Sequence, residues 1–244
     1  MKTIRTLIAG HEGADEGGSP TFRRTSSVRV WDFPTRVMHW SLAAGIAICW
    51  WTGAHNELQY HLYSGYAVLW IALMRVYWGL VGSSTARFVN FLRSPRVVVK
   101  YARTLHQRSS DYIHGHNPLG AISVVVMLGL VLGVVSLGLF AVDVDGLYSG
   151  PLSVFVDFHT GRHLAHLHYR VFRYLLLAIG LHILAVVFYY AYKRHNLVLP
   201  MISGRRVVDS GKSEELRVAP LWRLAFGAVV VAGIVWATTT SFYF

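Results

Sequence analysis

Five long apolar runs alternate with short polar or charged segments along the chain, over residues 37–53, about 61–81, 118–142, roughly 163–192 and about 221–244. Each is close to the roughly 20 residues that an α-helix needs to cross a hydrocarbon core about 30 Å thick. Pro118 is placed to open the third helix, where a missing N–H costs nothing. The fourth run is longer than one crossing needs, so its first turns are expected in the interface. The pattern predicts an all-α integral membrane helical bundle, with a core of four helices and a fifth, C-terminal transmembrane helix. Residues 1–28 are polar and rich in Gly and Ser, without an apolar signal core, and read as a cytoplasmic tail. Residues 29–201 form the transmembrane domain, and 202–244 a cytoplasmic linker with the fifth helix.

Charge sets the orientation. Lys and Arg gather in the tail, in 82–117 and in 193–223, whereas the 54–60 turn has neither and 141–161 carries only acids. Basic loops stay in the cytoplasm, so the N-terminus is expected inside and the C-terminus outside, after five spans. Trp50, Trp51 and the aromatic residues at 242–244 suit the outer interfacial belt. The composition, 54% hydrophobic and 14% charged, agrees, since soluble domains carry about 25% charged residues. The net charge of +11 does not point to nucleic acid, because the basic residues sit between apolar runs and form no stripe on a soluble face. The single cysteine, Cys49, excludes an intrachain disulfide. The chain also lacks the C-x-x-C-H signature of covalent haem attachment.

Against this apolar background four histidines stand out. His39 lies in the first run, His61 opens the second, and His168 and His182 lie 14 residues apart in the fourth. Fourteen residues rise about 21 Å and return to within about 40° of the same helix face. Ionisable groups at such depths are costly and point to function. In the predicted topology His61 and His168 lie near the outer side, and His39 and His182 near the inner side. The depths therefore pair His61 with His168 and His39 with His182, each pair able to clamp a planar ligand between facing helices. Two neutral imidazoles form a sound axial set for haem iron, so two non-covalent, bis-histidine haem b groups are expected. His166 and His163 fit the same face less well.

The residues also carry a resemblance. Arg36-Val37-Met38-His39-Trp40 followed by Thr52-Gly53, His61-x-x-x-Gly65 with Arg75, and the pairs Leu167-His168 and Leu181-His182 resemble the b-type cytochrome subunit of Ni/Fe hydrogenases. The same superfamily holds the bacterial cytochrome b561 proteins and the gamma subunit of formate dehydrogenase. The resemblance runs from about residue 28 to 201. It implies a di-haem b cytochrome of a bacterial inner (plasma) membrane that exchanges electrons with quinone, with its four ligands on His39, His61, His168 and His182. The 115–120 segment and the fifth helix lie closer to the cytochrome b561-like branch.

Other residues keep two readings. Arg75, on nearly the same face as His61, could pair with a haem propionate or snorkel to the inner headgroups. Arg36 could meet an inner propionate or simply mark the basic interface. His116 and Asn117 are candidate donors to a quinone carbonyl, but the favoured reading makes Asn117 the cap of a helix opened by Pro118. His159, His163 and His166 have helical spacing for a metal and read better as interfacial residues. The functional expectation is an electron-transfer subunit linking a periplasmic redox protein, a hydrogenase-like enzyme or a c-type cytochrome, to exchangeable quinone. The alternatives are a stand-alone quinone-linked oxidoreductase and, in another class, a histidine-lined metal transporter.

Overall fold

The computed structural model describes residues 25–107, 116–209 and 216–240. In chain order these form β1 (Thr25–Arg29), α1 (Phe33–Ala54), α2 (Leu58–Val81), α3 (Phe88–Phe91), α4 (Pro95–Arg103), α5 (Pro118–Leu139), α6 (Phe158–Ala191), α7 (Val198–Ser203), β2 (Arg205–Asp209) and α8 (Leu221–Thr240). A single 3-10 turn, Ser153–Phe155, precedes α6. Three of the long helices begin at a side-chain cap, which satisfies a backbone N–H that the helix leaves orphaned. Asp32 accepts from the Thr35 N–H at 3.0 Å, Asn117 from Gly120 at 2.7 Å and Asp157 from Thr160 at 3.0 Å.

The bundle is two helical hairpins, α1–α2 and α5–α6, joined where α2 meets α5, with α8 on the outer flank of α2. Gly45 lets the first hairpin close, since a Cβ there would stand 2.8 Å from Val68 Cγ2. Val68, Ala72, Leu128, Val131 and Leu175 knit α2, α5 and α6 into one apolar cluster. Met38, Met74, Trp78 and Val231 tie α1, α2 and α8 into another. By length and composition α2, α5, α6 and α8 can each cross a membrane. Helix α1 is as long as α5, at 22 residues, but His39 and three tryptophans make it less apolar. Large apolar side chains of α6 and α8, such as Leu184 and Val229, point away from the protein, as lipid-facing surfaces do.

At the end of the bundle nearer His39, the segments read as tail and linker meet in a short ribbon. β1 and β2 pair antiparallel, from Thr25 opposite Asp209 to Arg29 opposite Arg205. Beyond the ribbon, Val30 and Trp31 both donate to the Gly204 carbonyl, at 2.8 and 3.2 Å. Gly204 closes α7 at φ 77°, and a Cβ there would stand 2.9 Å from the Trp31 carbonyl. Glycine is therefore required on two counts, a left-handed backbone and a close approach. The ribbon was hidden because each strand is five residues, partly polar, and finds its partner some 180 positions away. The rest of the expected tail, residues 1–24, and the belt residues 242–244 lie outside the described residues.

Candidate cofactor sites between the hairpins

Helix α6 carries His168 and His182 past the α1–α2 hairpin. There the rings of His61 and His168 face each other with centroids 6.0 Å apart and planes at 80°. His39 and His182 do the same at 6.5 Å and 54°. With nitrogen–metal bonds of about 2.0–2.1 Å and a ring centroid about 1.15 Å behind its nitrogen, two trans imidazoles on one metal ion have centroids about 6.3–6.5 Å apart. Both pairs are close to that span, and neither pair is joined by a hydrogen bond among the described residues.

At the His61–His168 pair, the outer one in the predicted topology, the ring tautomers follow from their partners. His61 Nδ1 lies 2.9 Å from the Cys49 carbonyl, and His168 Nδ1 lies 2.8 Å from the Val134 carbonyl. A carbonyl can only accept, so each Nδ1 carries the proton and each Nε2 keeps a free lone pair. Two glycines make these approaches possible. A Cβ on Gly53 would come 3.2 Å from His61 Nδ1, and one on Gly138 would come 3.0 Å from His168 Nδ1. A cavity of about 550 Å³ contains both imidazoles, with Gly65, Val131, Val135 and Phe172 among its walls. That is within the usual size range of a small-molecule site, about 300–1,000 Å³. A Cβ on Gly65 would meet nothing within 4 Å, so this wall stands back from the space.

The His39–His182 pair, the inner one in the predicted topology, has polar surroundings. His39 Nδ1 is buried without a hydrogen-bond partner, as are Thr35 Oγ1, Arg36 Nε, Thr85 Oγ1, Arg87 Nε and His116 Nδ1. Arg75 is buried, donates weakly to the Ala86 carbonyl at 3.4 Å, and has its guanidinium 5.1 Å from the centre of the Phe88 ring. His116 is wedged between Trp31 and Phe91, with ring centroids 4.6 and 4.5 Å away. Burial, reinforced by Arg75 and then by the two inner histidines, pushes its pKa down to about 3, so it is neutral at physiological pH. A planar macrocycle with two open axial positions and carboxylate arms matches this donor set. Imidazole rings face each other in pairs, and His39 is among the buried polar groups that lack a partner.

The family model for prokaryotic cytochrome b561 matches residues 30–204. This chain belongs to that family. As a b561 cytochrome it is a multi-pass membrane protein that binds b-type haem and takes part in electron transfer. Two relatives are each named a probable Ni/Fe-hydrogenase B-type cytochrome subunit. The Azotobacter vinelandii protein is 25% identical, over 81% of this chain and 95% of its own length. The one from Azotobacter chroococcum mcd 1 is 26% identical with the same coverage. No solved structure matches the chain.

The remaining predicted residues of this cytochrome fall into place unevenly. Arg75 stands near the inner histidines, whereas Arg36 sends Nη1 to the Ile202 carbonyl and so also ties α1 to α7. The Asn117 side-chain oxygen is engaged in the α5 cap, as its place before a proline suggests. Among the described residues no group of three or more His, Cys, Asp or Glu converges on a metal site, His159, His163 and His166 included. Sequence reasoning had Gly53 only as part of the resemblance and missed Gly138; the importance of both lies in rings brought to them by packing. It also missed Arg162 and Arg173, which line the outer cavity.

Proposed function

We propose that this cytochrome carries two haem b groups, one between His61 and His168 and one between His39 and His182, and relays electrons between a periplasmic redox partner and membrane quinone. The observation that carries this reading is the repeated pairing of an α6 imidazole with one from α1 or α2, at separations that would let each pair hold one metal ion, about 21 Å of helix rise apart. Bound haem supplies reversible one-electron chemistry at each pair. The chain's part is to hold and tune it. The Nδ1–H bonds to the Cys49 and Val134 carbonyls fix the outer rings and raise their basicity. Arg75 supplies a buried positive charge for a carboxylate at the inner pair, and Arg36 Nε is a second donor there.

Quinone exchanges at the inner side in this reading. His116 is neutral, buried and lacks a partner at Nδ1, so it can hydrogen-bond a quinone carbonyl. The Asn117 amide nitrogen is a second donor, since only its oxygen serves the cap. The positive-inside bias supports an inner-membrane orientation with the N-terminus cytoplasmic and the C-terminus periplasmic. The names of the two relatives support a hydrogenase-like enzyme as the periplasmic partner, and a c-type cytochrome would suit the same outer port. The deciding experiment is haem b per polypeptide by pyridine haemochrome on the detergent-purified chain. Two per chain is the expected value. One or none, from haem-replete membranes, rejects the di-haem relay.

A further inference from the structure

We propose that Arg162 and Arg173 of α6 clamp the carboxylate edge of the haem held in the outer cavity. The inference rests on the di-haem reading above. Both arginines line that cavity. They are 11 residues apart, which brings them to within about 20° of one helix face and about 16 Å apart along the axis. His168 lies between them, six residues after one and five before the other. The two arginine positions thus flank, above and below along the helix, the level of the ring that would hold the metal, which lies about 120° round from them.

Neither arginine is accounted for by its protein contacts. Arg162 gives one nitrogen to the Val142 carbonyl at 3.0 Å, leaving its other donors available. Arg173 makes no hydrogen bond or ion pair among the described residues. Its neighbour Val171 abuts Gly133, six residues inside the outer end of α5. Arg173 therefore stands below the outer helix ends, where an unpaired charge is unfavourable. Topology gives no reason for it either, because the charge bias assigns this side to the exterior, where arginine is not favoured.

The cavity wall has one opposing charge, Asp143, whose carboxylate already accepts the Val144 N–H at 2.8 Å. Two arginines against one aspartate leave the wall with an excess positive charge. A ferric porphyrin core carries one positive charge and its two carboxylates carry two negative ones, so the group that neutral His61 and His168 would ligate is itself anionic. Charge-assisted, bidentate pairing of guanidinium with carboxylate is the strongest contact these side chains can make.

Redox titration of the purified holoprotein separates this from a lipid-facing role. Arg173→Gln is expected to retain two haems and to lower the midpoint of one of two titration waves, because loss of a nearby positive charge favours the ferric form. Arg173→Lys should keep most of the wild-type midpoint, and Arg162→Gln with Arg173→Gln should move the same wave further. The moving wave should be the one lost in His61→Ala or, where that variant does not accumulate, the one retained in His39→Ala. Loss of one haem in Arg173→Gln, restored by Arg173→Lys, also supports the clamp. Two unmoved waves with both haems bound overturn it and assign the guanidiniums to anionic lipid headgroups. Equal shifts for Gln and Lys overturn it as well, because charge is then not what matters. A wild-type chain with fewer than two haems removes the relay reading instead.

Discussion

The two histidine pairs have similar geometry and opposite surroundings. At the outer pair both imidazoles are tethered to backbone carbonyls and the cavity is mostly apolar. At the inner pair His39 has no such tether, and five further buried polar atoms at that end have no partner. Leaving a donor or acceptor buried and unpaired costs about 1–3 kcal/mol. Several together would consume much of a typical net stability of about 5–15 kcal/mol. In the proposed relay these atoms would be met by haem carboxylates, quinone oxygens or water. Under the proposed function the difference would separate two tasks. A port that passes electrons alone can be rigid and dry, whereas one that also meets protons and an exchanging substrate needs polar groups held ready.

The harshest break of this comparison is removal of a ligand. His61→Ala or His168→Ala should halve the haem content and leave the inner spectrum, and His39→Ala or His182→Ala should do the converse. Loss of both haems from every variant would mean that the sites are not separable. Next comes the tether. Gly138→Leu puts a side chain where even a Cβ would be 3.0 Å from His168 Nδ1, so the outer haem should be lost selectively. Gly180→Ala is the matched control two residues from His182, where a Cβ meets nothing within 4 Å. It should leave both haems bound, and equal haem loss from the two glycine variants would remove the role given to close approach.

Smaller effects test the inner end. Asp32 caps α1 and also accepts the Trp78 indole N–H at 2.8 Å. Asp32→Ala removes a cap worth about 0.5–2 kcal/mol and leaves a buried indole donor costing about 1–3 kcal/mol. Thermal release of haem should then begin at the inner pair, at a lower temperature than in the wild type. If the outer haem leaves first, the ribbon and the α1 start do not support the inner site. His116→Phe preserves the stack between Trp31 and Phe91 while deleting the ring nitrogens. Quinone reduction should slow about tenfold, the worth of one hydrogen bond of about 1–1.5 kcal/mol, with haem spectra unchanged. An unaltered rate would move quinone away from His116.

Which rings face each other was legible in the sequence because helix periodicity and depth are local quantities. His168 and His182 share a face by arithmetic, and alternation of the runs sets the height of His39 and His61. The cap at Asn117 was legible too, since Asn before Pro is a local signal. What stayed hidden depends on partners distant in sequence. Nothing around Gly138 announces that an imidazole 30 residues later will rest against it. The β1–β2 ribbon joins segments about 180 positions apart, and Arg162 and Arg173 gain meaning only beside a cavity. Asp157 misled for a related reason. It read as one more acid of an outer loop, yet it caps α6, whose helix begins five residues before the apolar run.

That cap changes how the smallest prediction must be made. The acidic outer loop, with Asp143, Asp145 and Asp157, suits a partner with a basic face, and neutralising all three looks like the natural test. Hydrogen bonds from the Thr160 hydroxyl and then its backbone N–H hold the Asp157 carboxyl below its ordinary pKa. The cap is therefore at full strength at neutral pH and is lost as pH falls through that lowered range. Changing Asp157 would alter α6 as well as charge, a fault that Asp143 and Asp145 share less. Among the described residues the Asp143 carboxylate accepts only the adjacent Val144 N–H, and Asn at 143 can still accept it. Exposed charge pairs are worth about 0.2–1 kcal/mol, so each substitution to Asn should slow electron exchange with a basic partner by about fivefold at most. The double variant should also flatten the dependence of that rate on salt, because a rim charge acts on encounter more than on the docked complex. An unchanged rate and salt slope, with haem content intact, would take docking away from this loop.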